Sequence, residues 1–266
     1  LIEDAGPLAG KTLVATHIDS WEVGSQNWSP KFRAEFQKRR GYDLMDYLPV
    51  MAGWIIDSRA IAERFLWDIR ETVNELVREN YAGHFAEMAH RHGMRFTTEG
   101  YHTLPSNDIA FAGRSDEPMG EFWAWWWPGA TNFAYASNTA MTSAGHIYGK
   151  TIIGAEAFTS TDSEKWLGHP GNIKTLGDWA FCEGINRFVF HRYAMQPWPD
   201  VKPGMSMGPW GLHYERTQTW WEMTGAWHEY LARCQYLLRQ GLFVADVCYL
   251  MPEGMPQSLF YQNRIL

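Results

Sequence analysis

The feature that most constrains the fold is a short apolar segment that recurs along the chain and ends each time in a polar, aromatic-flanked cluster. β-branched and aromatic residues fill these segments, which is typical of buried strands. The segments span residues 11–16, 94–98, 151–155 and 186–190. Longer amphipathic stretches separate them, a rhythm typical of parallel strands joined by crossover helices. The sequence therefore predicts an α/β fold built on a parallel sheet.

Helix signals fill most of the intervals between these strands. Ser29 as N-cap, Pro30 at the first helical position and Gly41 as a stop predict a helix that ends at Arg40. The same patterns predict further helices over 61–92, 138–148, 173–184 and 217–239, and a fifth strand over 244–250. The segments 103–136 and 194–212 lack such patterns, and long irregular segments in compact domains often carry function.

Polar residues stand at the carboxyl ends of four predicted strands. They are Asp19 with Glu22, Glu99 with His102, Glu156, and His191 with Arg192. Loops at this end of the strands build the active site of a (β/α)8 barrel, so we expect the four clusters to share one cleft. An open doubly wound sheet is the alternative, but no glycine-rich phosphate loop opens a helix in this sequence.

Five predicted strands are fewer than the eight that close such a barrel. We therefore expect an incomplete TIM-barrel-like catalytic domain, the C-terminal part of a (β/α)8 barrel, with the remaining strands preceding Leu1. Residues 1–243 are predicted to belong to the barrel, and residues 244–266 to form its last strand or the start of the following domain.

Composition narrows the partners of the chain. A net charge of -7 disfavours nucleic acid, whose binding depends on Lys and Arg neutralising phosphates. No apolar run approaches the roughly 18 residues of a membrane span, so no membrane association is predicted. The three cysteines form no CxxC pair. The 15 tryptophans favour a mixture of core packing and a sugar-binding cleft, because the apolar face of a pyranose stacks on a flat ring.

Glu22 and Glu156 are the candidate catalytic pair. Glycosidic bond cleavage needs two carboxyl groups, one to protonate the leaving oxygen and one to activate water or attack the sugar. Each glutamate directly follows an apolar segment, where it must face the cleft or be paired in a salt bridge. Asp19 has three readings: it tunes the proton affinity of Glu22 by like-charge repulsion, binds sugar hydroxyls, or only caps the turn. No GxSxG elbow or Walker loop supports another mechanism.

Metal-ligating and sugar-binding candidates come from the same clusters. Glu99 and Glu121 are candidate ligands of a hard cation such as calcium, which prefers oxygen donors. The histidines lack the HExxH spacing of a zinc site and are instead compatible with hydrogen bonds to sugar hydroxyls. The candidate substrate-binding residues are His17, Trp21, His102, Trp123, His191 and Trp198.

The longest of these motifs resembles glycoside hydrolase family 106, the α-L-rhamnosidases. It runs through Thr16-His17-Ile18-Asp19-Ser20-Trp21-Glu22-Val23-Gly24. Shorter stretches that resemble the family lie at 27–28, 40–44, 48–49, 98–101, 120–123, 154–159, 190–193, 196–198, 238–241 and 245–247. The resemblance covers nearly the whole chain, and its first motif is the most specific.

The resemblance implies an α/β barrel that removes terminal α-L-rhamnose by inversion, with a calcium ion near the sugar hydroxyls. By motif, Glu22 matches the general acid, Glu156 the general base and Asp19 an acidic residue that supports activity. Glu99 and Glu121 are the expected calcium ligands. Inversion predicts that the carboxyl groups of Glu22 and Glu156 lie roughly 6.5–9.5 Å apart, with room for water. The resemblance further implies polysaccharide degradation outside the cytoplasm, in the periplasm or the medium.

Other functions remain open from the residues alone. A retaining, β-galactosidase-like barrel glycosidase would keep the barrel, the paired glutamates and the aromatic cleft, but with carboxyl groups about 5–5.5 Å apart. A non-catalytic carbohydrate-binding fragment would need the aromatic platform without two converging acids. A folded but inactive piece of a larger enzyme is the third alternative.

Overall fold

The computed structural model describes residues 1–24, 28–100, 105–125 and 137–250. These residues form two compact units. Of the described residues, the first unit contains 1–24, 28–96, 105–115 and 247–250, and the second contains 97–100, 116–125 and 137–246. Among the described residues, no helix combines the length and the apolar character needed to cross a membrane.

Five strands form one sheet in the order β1-β2-β3-β4-β5. They are β1 (Ala15–Ile18), β2 (Arg95–Glu99), β3 (Glu117–Trp125), β4 (Gly154–Ser160) and β5 (Arg187–Phe190). β2 to β5 pair in parallel. The predicted α/β fold with a parallel sheet is confirmed, and the closed eight-stranded barrel stays a prediction.

The pairing register determines which side chains share a face of the sheet. Glu99 pairs with Met119, and Glu121 pairs with Glu156. Paired residues point to the same face, as do residues two apart along a strand. Glu99, Glu121 and Glu156 therefore lie on one face of three neighbouring strands.

The first unit is mainly helical. Its helices are α1 (Ile2–Ala5), α2 (Phe32–Arg40), α3 (Arg59–Val77), α4 (His84–Arg91) and α5 (Asp108–Ala112). Leu44–Ala52 forms a 3-10 helix, and Arg78–Gly83 forms a π-helical turn between α3 and α4. The Ser58 hydroxyl caps α3 by accepting the Ile61 amide at 3.3 Å. Phe65, Ile69 and Val73 recur at helical spacing on α3 and are buried.

The second unit has an aromatic core. Its helices are α6 (Asn138–Ile147), α7 (Pro170–Cys182) and α8 (Gly225–Leu238). The ring of Phe122 meets those of Phe158 and Phe188 edge-on at 5.0 and 5.4 Å. Phe181 of α7 stacks on Phe188 at 4.5 Å. Because Phe122 and Phe188 alternate with Glu121 and Val189 along their strands, the aromatic core lies on the face opposite the glutamates.

Several element predictions differ from the structure. The strand predicted over 151–155 is β4 at Gly154–Ser160, so Glu156 lies inside the strand and not at its end. β3 lies within the segment predicted to be irregular; Pro118 and Gly120 weaken its strand signal, but pairing with β2 and β4 supplies its hydrogen bonds. Residues 244–250 form no strand. Val244 and Leu250 are 84% and 95% exposed, so the apolar residues of this segment do not pack into the sheet. α8 begins at Gly225 instead of 217, after a turn and a short 3-10 helix.

Candidate active site

Glu22 lies in the loop that follows β1. The loop is held by its own short-range hydrogen bonds: the Trp21 indole donates to the Gly24 carbonyl at 2.6 Å, and the Ser20 amide donates to Asp19 at 3.0 Å. The Ser20 hydroxyl donates to Glu22 Oε1 at 2.6 Å. Glu22 is exposed, so this hydroxyl orients a carboxyl group that solvent can reach.

Glu156 lies within β4 and is more enclosed. Its side chain is 15% exposed, and Thr159 donates a short hydrogen bond to its Oε1. His191, which follows β5, places Nδ1 3.5 Å from the same oxygen. Glu121 is its register partner on β3. The Glu156 carboxyl group is therefore oriented by a hydroxyl group of its own strand and faced by a histidine that follows β5.

Glu99 and Glu121 are buried carboxyl groups on neighbouring strands, at 3% and 4% exposure. The Glu121 amide donates to the Ser137 hydroxyl at 2.8 Å, which fixes the backbone at this point of β3. A buried carboxylate is costly unless a cation or hydrogen bonds compensate it. Carboxylate oxygens are the donors that a hard cation such as calcium prefers.

A buried contact between a carboxyl group and a histidine lies beyond the end of β4. The Glu164 carboxyl is fully buried, contacts His213 Nδ1 at 2.7 Å, and accepts the amides of Trp166 and Gly168 at 2.7 Å each. The Trp166 ring stacks on His213 at 3.7 Å. Burial alone raises the pKa of Glu164, but these hydrogen bonds outweigh it and hold the pKa below its ordinary value.

Arg192 follows β5 and is 6% exposed. Its Nε donates to the Trp210 carbonyl at 3.0 Å, while its two terminal nitrogens have no hydrogen-bond partner among the described residues. Burial lowers the pKa of this guanidinium, and Glu215 and Glu164 partly restore it. Glu215 is itself bonded to Gln196 and Thr217. The guanidinium therefore keeps unused hydrogen-bonding capacity in a buried position.

The other predicted site residues are distributed as follows. Trp123 is buried and meets Trp210 edge-on at 6.1 Å. His17 and Asp19 are exposed at the end of β1. Trp198 is 58% exposed, in the segment after β5. His102 lies outside the described residues. Trp21 packs edge-on against Tyr81 at 5.3 Å.

Sequence reasoning missed the pair formed by Glu164 and His213. The two residues are separated by 48 others, and neither belongs to a recognisable motif. Arg192 was recognised only as a member of a strand-end cluster. The burial of Arg192 comes with its hydrogen bond to the Trp210 carbonyl, a contact that the hydrophobic periodicity of the sequence does not predict.

Three comparisons with known proteins bear on this site. The profile of glycoside hydrolase family 106, described as alpha-L-rhamnosidase, matches residues 1–265. A protein of Formosa agariphila with the provisional name beta-glucuronidase is 40% identical over 265 residues, which are 100% of this chain and 22% of that protein. The rhamnosidase structure from Novosphingobium sp. PP1Y matches with a TM-score of 0.78 and 31% identity, over 90% of this chain and 23% of that one. The chain thus spans less than a quarter of either relative.

Proposed function

The chain belongs to glycoside hydrolase family 106, the α-L-rhamnosidases, and we propose that it supplies the acid and base of an inverting enzyme that removes terminal α-L-rhamnose. The observation that carries this proposal is the setting of Glu156. It is a carboxyl group with 15% side-chain exposure within a parallel strand, oriented by Thr159 and faced by His191. The proposal includes a closed (β/α)8 barrel and a location in the periplasm or outside the cell.

The proposed reaction uses one water molecule. Glu156 removes a proton from the water as its oxygen bonds to the anomeric carbon. The bond from that carbon to the leaving oxygen breaks, and Glu22 gives its proton to the leaving oxygen. Attack from the face opposite the leaving group inverts the anomeric configuration. Thr159 and Ser20 orient the two carboxyl groups, and Asp19 supports the loop that carries Glu22.

Glu99 and Glu121 are the proposed holders of a calcium ion. Their burial on neighbouring strands and their oxygen donors fit such an ion. When bound, calcium would supply positive charge that binds sugar hydroxyls. His191, Trp123 and the exposed residues His17 and Trp198 are the proposed contacts of the sugar itself.

A second candidate is a glycosidase that acts on a uronic acid. It is favoured by the buried guanidinium of Arg192, whose free terminal nitrogens suit a carboxylate, and by the name of the Formosa agariphila relative. A substrate comparison separates the two candidates.

The test is hydrolysis of p-nitrophenyl α-L-rhamnoside and p-nitrophenyl β-D-glucuronide, with proton NMR of the sugar released first. We expect turnover of the rhamnoside, with β-L-rhamnose as the first product and reduced activity after calcium chelation. First release of α-L-rhamnose would refute inversion. Cleavage of the glucuronide alone would refute the rhamnosidase proposal and support the second candidate.

A further inference from the structure

A cavity of about 510 Å³ lies within the first unit, bounded by the loop that carries Glu22, by α2 and by the end of α3. Its volume is within the range typical of small-ligand sites. Trp21, Trp28 and Tyr81 form its aromatic walls, and Lys31, Glu35 and Asn80 supply polar groups. Apolar walls with a few polar groups are the usual lining of such a site.

The exposed ring of Trp28 is difficult to explain by packing alone. Trp28 is 53% exposed, although it contacts the buried Phe32 at 5.8 Å. Trp21, on another wall, is held by its hydrogen bond to Gly24 and by the edge of Tyr81. Flat aromatic rings with hydrogen-bonding groups nearby match a pyranose, which has an apolar face and a rim of hydroxyls.

The backbone beside the cavity supplies an independent observation. Asn80 and Tyr81 belong to the π-helical turn Arg78–Gly83. Such turns are rare and occur frequently at functional sites, because the wide backbone is poorer for helix stability and persists where it positions side chains. Here it presents an exposed amide and an aromatic ring to the same cavity.

We propose that this cavity is the aglycone subsite and binds a neutral pyranose ring of the leaving group. The inference rests on the proposed role of Glu22 as general acid. The acid protonates the leaving oxygen, so the leaving group lies on the acid's side of the bond, and Trp21, which lines the cavity, directly precedes Glu22 in the chain. Lys31 and Glu35 contribute one charge of each sign, which favours a neutral ring over an acidic one.

The test compares Trp28→Ala with Trp54→Ala. Trp54 is an equally large, 69% exposed side chain of the same unit that does not line the cavity. Each variant is assayed on methyl α-L-rhamnoside and on an α-L-rhamnosyl-glucose disaccharide. We expect Trp28→Ala to lower the preference for the disaccharide, as a ratio of kcat/KM values, by about tenfold. Trp28→Phe should recover most of that preference, and Trp54→Ala should match the wild type.

A binding measurement separates failure of this inference from failure of the proposed function. Saturation-transfer NMR with methyl β-D-glucopyranoside needs no hydrolysis. Signal from the wild type and Trp54→Ala but not from Trp28→Ala supports the subsite, whereas equal signals from all three proteins, or none, overturn it. Loss of preference in both variants also overturns it. Absence of rhamnoside hydrolysis by the wild type refutes the proposed function instead, and the aglycone assignment with it. Circular dichroism confirms that each variant is folded.

Discussion

The two candidate catalytic glutamates occupy contrasting settings in the two units. Glu22 is exposed in a loop, and a hydrogen bond from the neighbouring Ser20 orients it. Glu156 lies within a strand, at 15% side-chain exposure, between Thr159 and His191. The two settings allow the proposed proton donor, Glu22, and the proposed proton acceptor, Glu156, to be tested separately.

The largest expected effect separates these roles. Glu156→Gln removes the proposed base and should lower kcat by about 10³-fold on every rhamnoside. Glu22→Gln should cause a similar loss on an alkyl rhamnoside but only about a tenfold loss on the p-nitrophenyl rhamnoside, because that leaving group departs without a proton. Steady-state kinetics on both substrates measures the difference.

The matched control for this pair is Glu63→Gln. Glu63 is an exposed glutamate of the first unit, paired with Arg59 at 2.8 Å along α3. It should leave kcat unchanged. If the loss of kcat depends on the leaving group to the same extent in Glu22→Gln and Glu156→Gln, the assigned roles are wrong. The different settings of the two glutamates would then not reflect different catalytic roles.

A smaller expected effect concerns how much the buried contact between Glu164 and His213 contributes to the stability of the second unit. Glu164→Ala leaves His213 and two backbone amides without their acceptor, so we expect a loss of roughly 3 kcal/mol in the free energy of unfolding. Urea denaturation measures this. Glu229→Ala, which breaks an exposed pair with Arg233, should cost under about 0.5 kcal/mol. Similar losses of unfolding free energy in both variants would show that the buried contact contributes no more to stability than the exposed pair.

Parts of this molecule could be read from sequence because their signals are local. Apolar runs located β2, β4 and β5, and a glutamate at the end of a run marked Glu156. β3 was missed because Pro118 and Gly120 oppose strand formation locally, while pairing on both sides overrides that preference. The segment 244–250 shows the converse, with a strand-like sequence and no strand.

Long-range contacts account for the rest. The contact of Glu164 with His213, and the burial of Arg192 against the Trp210 carbonyl, join residues far apart in the chain. Nothing in the local sequence distinguishes Glu164 from the exposed acids around it. The register that sets Glu121 beside Glu156 also depends on how two strands align, which a single strand does not specify.

A third prediction concerns the hydroxyl groups that orient each glutamate. Thr159→Val and Ser20→Ala each remove one hydrogen bond to a catalytic carboxyl group and should lower kcat/KM by about three- to tenfold. Glu156 should be the more sensitive, because at 15% side-chain exposure solvent is less able to replace the lost hydrogen bond. The control is Thr139→Val, which removes an exposed hydrogen bond from the Thr139 hydroxyl to the Glu183 carboxyl group. A larger loss of kcat/KM in Ser20→Ala than in Thr159→Val would contradict this prediction.

The last prediction concerns how the stability of each unit changes with pH. In the first unit, burial raises the pKa of Asp108 to about 7. A raised acid pKa means that the folded state binds more protons than the unfolded state between pH 3.8 and about 7. Asp108 therefore makes the first unit less stable as pH rises through that window. In the second unit, Glu164 has a lowered pKa, so its stabilisation is present above pH 4.5 and is lost as pH falls through its folded pKa.

The two units should thus respond to pH with opposite signs from these groups. One proton changes stability by at most about 1.4 kcal/mol per pH unit, so the signal from Asp108 is modest. Hydrogen exchange, corrected for intrinsic exchange rates, measures both responses: protection of α5 should fall as pH rises from 5 to 7, and protection of the segment around Glu164 should fall as pH drops below 4.5. Asp108→Asn should abolish the decline in protection of α5, whereas the exposed Asp46→Asn should leave it unchanged. If α5 keeps the same decline in Asp108→Asn, the buried carboxyl group is not its cause, because a single titrating group cannot act after its proton site has been removed.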